Sequence, residues 1–233
     1  MKRFFAIFSI LFAAAASFAQ SWESNAGVGL SVPYSKIGVD ERGAGDISQL
    51  CFGAEGFYLG YHENGFTVKG DYTVALTTTK DINLQNHQTN AGFFMNTAIG
   101  AGYSFTPDEK WLLSFTMMVG ADISLFTDSD ETVTYEKDYV RDNKADYDRS
   151  FSMVTLNLGA DILTRYKMGE HFGVFASLSA RYIIGGWGTD ETTYTFYNTS
   201  GSSRSKDNDK TSTDTDLLGY FRVQPTLGVC WTF

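Results

Sequence analysis

Along this chain apolar and polar residues take turns. At the carboxy-terminus Leu227, Val229, Trp231 and Phe233 alternate with Thr226, Gly228, Cys230 and Thr232, which gives an extended segment one apolar face carried to its last residue. The same period of two runs through eight segments, near 26–34, 49–61, 66–77, 92–105, 111–126, 152–167, 172–184 and 217–233, and none of them keeps a 3.6-residue period. Alternation in stretches rich in Val, Thr, Tyr and Phe predicts half-buried β-strands. Most of these segments exceed the ~5–6 residues of ordinary soluble strands and match the ~9–11 that a tilted strand needs to cross a bilayer. A terminal strand that does not fray is expected where the sheet closes on itself, since free ends are otherwise poorly tied down.

The connections between segments alternate in length. The links at 62–65, 106–110 and 168–171 are tight, with Gly65, Pro107 and Gly169 supplying turn chemistry, whereas those at 35–48, 78–91, 127–150 and 185–216 are long and polar. Short and long links in alternation around an even number of antiparallel strands predict a barrel with short periplasmic turns and long external loops. Both ends of the barrel domain then lie on the periplasmic side.

Assigning faces tests the idea. The apolar face carries Val28, Leu30 and Val32; Phe66, Val68, Tyr72, Val74 and Leu76; Phe93, Met95, Ile99 and Tyr103. It continues through Leu113, Phe115, Met117, Val119 and Ile123; Val154, Leu156, Leu158 and Ile162; Val174, Ala176, Leu178 and Ala180; and Val223, Leu227 and Val229. No charge interrupts it, as lipid exposure requires. The second segment strains the pattern, because an inward Glu55 puts Phe57, Leu59 and Tyr61 inward as well unless a bulge intervenes. Aromatic residues bracket the apolar band: Phe66, Tyr103, Phe105, Trp111, Tyr166, Phe172, Trp231 and Phe233 beside the short turns, and Tyr34, Phe93, Phe126, Phe151, Tyr182, Trp187 and Phe221 beside the long links. Such girdles sit at membrane interfaces.

The opposite face holds Glu55, Lys69, Asp71, Asp122, Asp161, Arg165, Arg181 and Arg222, four acidic and four basic residues. An eight-stranded interior is just wide enough for side chains to fill it, and charges buried there persist when paired. A polar interior network that plugs the barrel is therefore expected; a narrow conduit for ions or small solutes is the alternative.

On these features the chain resembles the small eight-stranded outer-membrane barrels, the class that includes OmpX and the OmpA transmembrane domain. The resemblance implies an all-β fold, an eight-stranded antiparallel up-and-down transmembrane β-barrel with four long external loops and three short periplasmic turns. It places the protein in the outer membrane of a diderm bacterium, in contact with its lipid. It also implies that Leu227, Val229, Trp231 and Phe233 form the signal read by the outer-membrane assembly machinery.

The amino-terminal end agrees with export. Lys2 and Arg3 precede an apolar run over 4–16, and Ser17-Phe18-Ala19 places small residues where a signal peptidase reads. The run is shorter than the ~20 residues of a spanning helix. Cleavage after Ala19 is expected, leaving a single barrel domain over 20–233 and lowering the net charge from −9, with 16 basic against 27 acidic residues. An acidic chain without a basic patch excludes nucleic acid as a partner.

Candidate chemistry is thin. His62 and His171 fall in the short turns, and His87 alone lies in a long link, near Asp81 and Thr89 with nothing to orient them. A lipid A or phospholipid-modifying enzyme needs an oriented nucleophile and base, so the chain reads as non-enzymatic, with no catalytic residue and no cofactor. Asp128, Asp130 and Glu131, and Asp207 and Asp209, are dense in carboxylates but lack the Gly and the closing Glu of a calcium loop, so no metal is assigned. Cys51 and Cys230 fall at opposite ends of strands separated by the first one and are expected to stay unbridged. What remains is the exterior. Segment 127–150 holds eight acidic and four basic residues with Tyr135, Tyr139 and Tyr147, and the alternation over 131–140 and 192–197 predicts strands that continue above the membrane as hairpin arms. The resulting expectation is a structural and surface-interaction, adhesin-like protein whose acidic external loops meet an external protein or a host-surface ligand.

Overall fold

The computed structural model describes residues 22–39, 47–81, 89–137, 140–200, 203–219 and 221–233. The leader segment and His87 lie outside the described residues. Ten β-ladder segments follow one another: β1 (Trp22–Ser31), β2 (Tyr34–Val39), β3 (Ile47–His62), β4 (Phe66–Asp81), β5 (Thr89–Phe105), β6 (Trp111–Lys137), β7 (Val140–Lys167), β8 (Phe172–Ser200), β9 (Ser203–Leu218) and β10 (Phe221–Thr232). Each pairs antiparallel with its neighbours, and β1 pairs with both β3 and β10, so the sheet runs round to meet itself.

The ten segments make eight up-and-down strands, because two are interrupted. Between β1 and β2 the ladder to β10 stops at Ser31 opposite Thr226 and resumes in the same register at Tyr34 opposite Val223. The gap falls where Pro33 and Pro225 lack the N–H a ladder needs. Val32 N–H still donates to the Pro225 carbonyl at 3.1 Å, and Cys51 N–H to the Pro33 carbonyl at 2.8 Å. β9 and β10 keep one register against β8, as one strand does.

The short turns have local causes. In the link after β3, Gly65 N–H donates to the His62 carbonyl at 2.8 Å, Phe66 N–H to Asn64 Oδ1 at 2.9 Å, and Gly65 takes φ +91°. This is the left-handed position that a three-residue hairpin reserves for glycine. A Cβ on Gly65 would also lie 2.2 Å from Cζ of Tyr103. Gly65→Ala is therefore expected to destabilise the barrel by more than about 1 kcal/mol, checked by the urea midpoint of refolded protein; an unchanged midpoint would count against this account. In the next turn, Asp108 Oδ1 accepts from Lys110 N–H at 2.8 Å and from Trp111 N–H at 2.9 Å, launching β6.

Most strands are longer than the periodicity suggests. The first begins at Trp22, not near residue 26. β6 and β7 stay paired to Lys137 opposite Val140, and β8 and β9 to Ser200 opposite Ser203. Segments 127–150 and 185–216 are thus mainly hairpin arms, in which Thr, Tyr and Val supply β propensity despite the polar composition. Irregularities interrupt β6–β7 between Asp130 and Val133 and again between Tyr135 and Lys137, and β7–β8 beside Leu156 and Asn157.

Candidate functional site

The two faces of the wall are chemically distinct. Every residue of the apolar set from Val28 to Val229 is exposed or half-buried, and Leu50, Phe52, Tyr58, Leu125 and Ile184 join them among the exposed side chains. No bulge interrupts the pairing of β3 with β1 or β4, so Glu55, Phe57 and Leu59 all point inward and are buried. Aromatic pairs gather at the turn end: Trp111 with Tyr166 at 4.9 Å between ring centroids, Phe172 with Trp231 at 5.9 Å, and Trp22 with His62 at 5.6 Å. At the other rim two girdle assignments need correction. Phe126 is buried inside the barrel and Phe151 stacks on it at 6.2 Å, because the pleat turns them away from the exposed Leu125 and Ser152. The terminal Leu227, Trp231 and Phe233 are exposed on the outer face, and Val229 is half-buried there.

Inside, Glu55, Lys69, Asp71, Asp122, Asp161, Arg165, Arg181 and Arg222 are all buried. They form three groups. In the first, Lys69 Nζ lies 2.9 Å from Asp161, 3.4 Å from Asp71 and 3.8 Å from Glu55. Arg181 Nη2 donates to Asp71 at 2.8 Å, while Gln224 Nε2 and Thr226 Oγ1 donate to Glu55 Oε2 at 2.7 and 2.6 Å. Side chains of β3, β4, β7, β8 and β10 are tied across the lumen by this group.

In the second, Arg222 pairs with Asp122, which also accepts from Asn96 Nδ2 at 2.7 Å and from Thr155 Oγ1 at 3.3 Å. The Arg222 guanidinium lies 5.6 Å from the centroid of Phe94, within reach of a cation–π attraction. The third group stands apart at the turn end, where Arg165 Nη1 donates to Glu23 at 2.9 Å, to Thr232 at 2.9 Å and to Asn25. Glu23 precedes the alternating pattern of the first segment, so periodicity gave no sign of it. The signal was the carboxylate beside Trp22, which extends the strand by four residues.

Beyond Phe57 and Leu59, which the register of Glu55 places inward, periodicity also passed over a second set, the apolar residues that face inward. Phe57, Leu59, Leu112, Leu163, Phe175 and Cys230 make one buried cluster, and Ile37, Phe126, Met153, Ile183 and Leu217 make another. On β7 the inward order is Arg165, Leu163, Asp161, Asn157, Thr155, Met153; on β8 it is Phe175, Ser177, Ser179, Arg181, Ile183. The lumen is therefore layered, with a mainly polar zone between two apolar belts, interrupted by Met118 and by a smaller cluster of Cys51, Ala75 and Phe94. Adjacent apolar pairs along the chain, such as Leu112-Leu113, Ile162-Leu163 and Ile183-Ile184, carry this signal, since neighbours on a strand face opposite sides.

Both cysteines are free and buried, with β1 between their strands. His62 accepts from Asn64 N–H in its turn, and His171 sits 3.1 Å from the Thr232 carbonyl. Asp128, Asp130 and Glu131 lie on β6, and Asp207 and Asp209 on β9, with side chains outside the described set. Among the described residues no group of three or more His, Cys, Asp or Glu is placed to hold a metal.

No protein family and no curated protein matches the chain. Solved structures do. The outer membrane protein OprG from Pseudomonas aeruginosa aligns with a TM-score of 0.55 at 10% identity, covering 91% of this chain and 96% of that one. A major outer membrane protein from Thermus thermophilus aligns at 0.45 and 12%, covering 89% and 99%, and Ail, the attachment invasion locus protein of Yersinia pestis, at 0.43 and 14%, covering 92% and 100%. At these identities the likeness is one of fold. A sheet paired round to its own first strand, an exposed apolar belt bracketed by aromatics and an ion-paired interior together identify this chain as having the fold of the small outer-membrane β-barrels.

Proposed function

We propose that this protein works in the outer membrane of a diderm bacterium as a closed barrel that passes no solute and holds two hairpin arms outside the cell to bind an external protein or a host surface. The observation that carries the reading is the inward face, where three ion-paired groups and three apolar clusters are buried. The arms support the second half. β7 and β8 pair as far as Ala145 opposite Phe196, so β6, β7, β8 and β9 rise together as one four-stranded sheet. Among the described residues, β6 beyond Thr127 has a ladder on its β7 side alone, and β9 before Leu217 on its β8 side alone. Such edges offer backbone donors and acceptors to an incoming strand, and the acidic excess of segment 127–150 favours a basic partner. In this reading Leu227, Val229, Trp231 and Phe233 serve as the insertion signal for the assembly machinery.

Two measurements test it. Purified protein in planar bilayers is expected to give no steady conductance, and a reproducible open level would favour the channel reading instead. Deleting residues 127–150 is expected to leave outer-membrane insertion and heat-modifiable gel migration intact while abolishing binding to host cells or matrix proteins. Unchanged binding by the deleted form ends the adhesive role.

A further inference from the structure

If the barrel is closed, as proposed above, something in its interior closes it, and the paired charges are the obvious choice. The packing favours a different one. In the apolar belt at the turn end, Phe57 and Phe175 meet edge to face at 4.7 Å between centroids, and Leu59 and Leu112 have no exposed surface. The wall behind the rings is cut back to glycine to admit them: a Cβ on Gly27 would lie 2.4 Å from Phe57, and one on Gly228 would lie 2.6 Å from Phe175. The outer belt of Ile37, Phe126, Met153, Ile183 and Leu217 is equally buried.

Between the belts the inward face is mainly polar, apart from Met118 and the small cluster of Cys51, Ala75 and Phe94. Asn157 is fully buried, yet neither atom of its amide has a hydrogen-bond partner in the protein, and the same holds for the hydroxyls of Ser114, Thr116 and Ser177 and for Nε and Nη2 of Arg222. A buried polar group left unpaired costs about 1–3 kcal/mol, and buried polar groups without a protein partner are ordinarily satisfied by internal water. The charge of this middle zone is not balanced either. Arg165 is drawn off to Glu23 at the turn end, which leaves Glu55, Asp71, Asp122 and Asp161 facing Lys69, Arg181 and Arg222.

We infer that the middle of the barrel is a sealed, hydrated chamber with a formal excess of one carboxylate, a site for water and small cations, and that the two apolar belts are what shut it. The ion pairs line the chamber and hold the strands in register. Apolar constrictions block ion passage by excluding water from the narrowest point, so widening them opens a path that a charged wall leaves passable.

Cys51 is a native reporter, buried on β3 between Glu55 and the outer rim. In folded wild-type protein it is expected to resist both a cationic and an anionic methanethiosulfonate reagent added from outside. Replacing the outer belt at Phe126, Met153 and Leu217 with serine is expected to expose Cys51 to the cationic reagent, and faster than to the anionic one, as read by peptide mass spectrometry on protein that keeps its heat-modifiable migration. Adding Leu59→Ser and Leu163→Ser is expected to give cation-preferring conductance in planar bilayers. A folded five-fold variant that stays closed, with Cys51 unreactive, overturns the inference and leaves the closed-barrel reading standing, whereas conductance of the wild type removes both. Equal rates with the two reagents would overturn the chamber's charge. Water-edited solid-state NMR of the unaltered protein decides the matter if the variants fail to fold: Asn157 and Thr116 are expected to show magnetisation transfer from water, and its absence at both overturns the hydrated chamber.

Discussion

Lys69→Met is expected to destabilise the barrel by about 3–5 kcal/mol, the cost of breaking a buried ion pair from one side. The substitution keeps the length and volume of the side chain and removes the charge. Three carboxylates lie within 4 Å of Nζ, and they do not lose equally. Asp71 keeps Arg181, and Glu55 keeps Gln224 and Thr226, but Asp161 is left with the hydroxyl of Ser179 at 3.2 Å. The expected companion result is partial recovery when Asp161→Leu is added, since both ends of the strongest contact are then gone. Urea unfolding of protein refolded in detergent or lipid measures both changes. A loss below about 1 kcal/mol for Lys69→Met would mean that Lys69 is dispensable to the fold, as a surface ion pair would be.

Leu158→Arg is expected to cost about 2–4 kcal/mol, while Ser152→Arg, on the same face nearer the external rim, costs about 0–1 kcal/mol. Both positions are exposed, on either side of the half-buried Val154 and exposed Leu156 on β7. In water they would be equivalent. The difference comes from depth in the bilayer, where an Arg near the middle finds neither water nor headgroups and one near the rim finds both. Equal costs for the two, measured in the same lipid, would place this face outside the hydrocarbon.

How much of this was legible in the residues depends on which face of the wall is considered. The lipid face is written in the simplest code a strand has, apolar at every second position, and it can be read from Val28 to Val229 without knowing any partner. The interior is not. Alternation places Arg165 on the inward face but cannot say that Glu23, far away in the chain, will reach it, because that contact depends on a strand that begins before its apolar pattern does. Alternation likewise labels Leu163 and Ile183 as irregularities, when each is the inward member of an apolar pair and belongs to a belt. The arms lay between these cases. Their threonines and tyrosines carry strand propensity, but nothing apolar marks where the membrane stops and the hairpin continues.

The meeting of β1 with β10 has a kinetic consequence. Gly27 lies opposite Cys230 and Leu30 opposite Leu227, so the contacts that finish the sheet join its first and last strands. All other neighbouring strands can zip from a local hairpin, at the modest entropy of a short loop. This pairing has to gather all the strands between them first, and non-local pairing of that kind is slow. Until it forms, two bare edges face the surroundings.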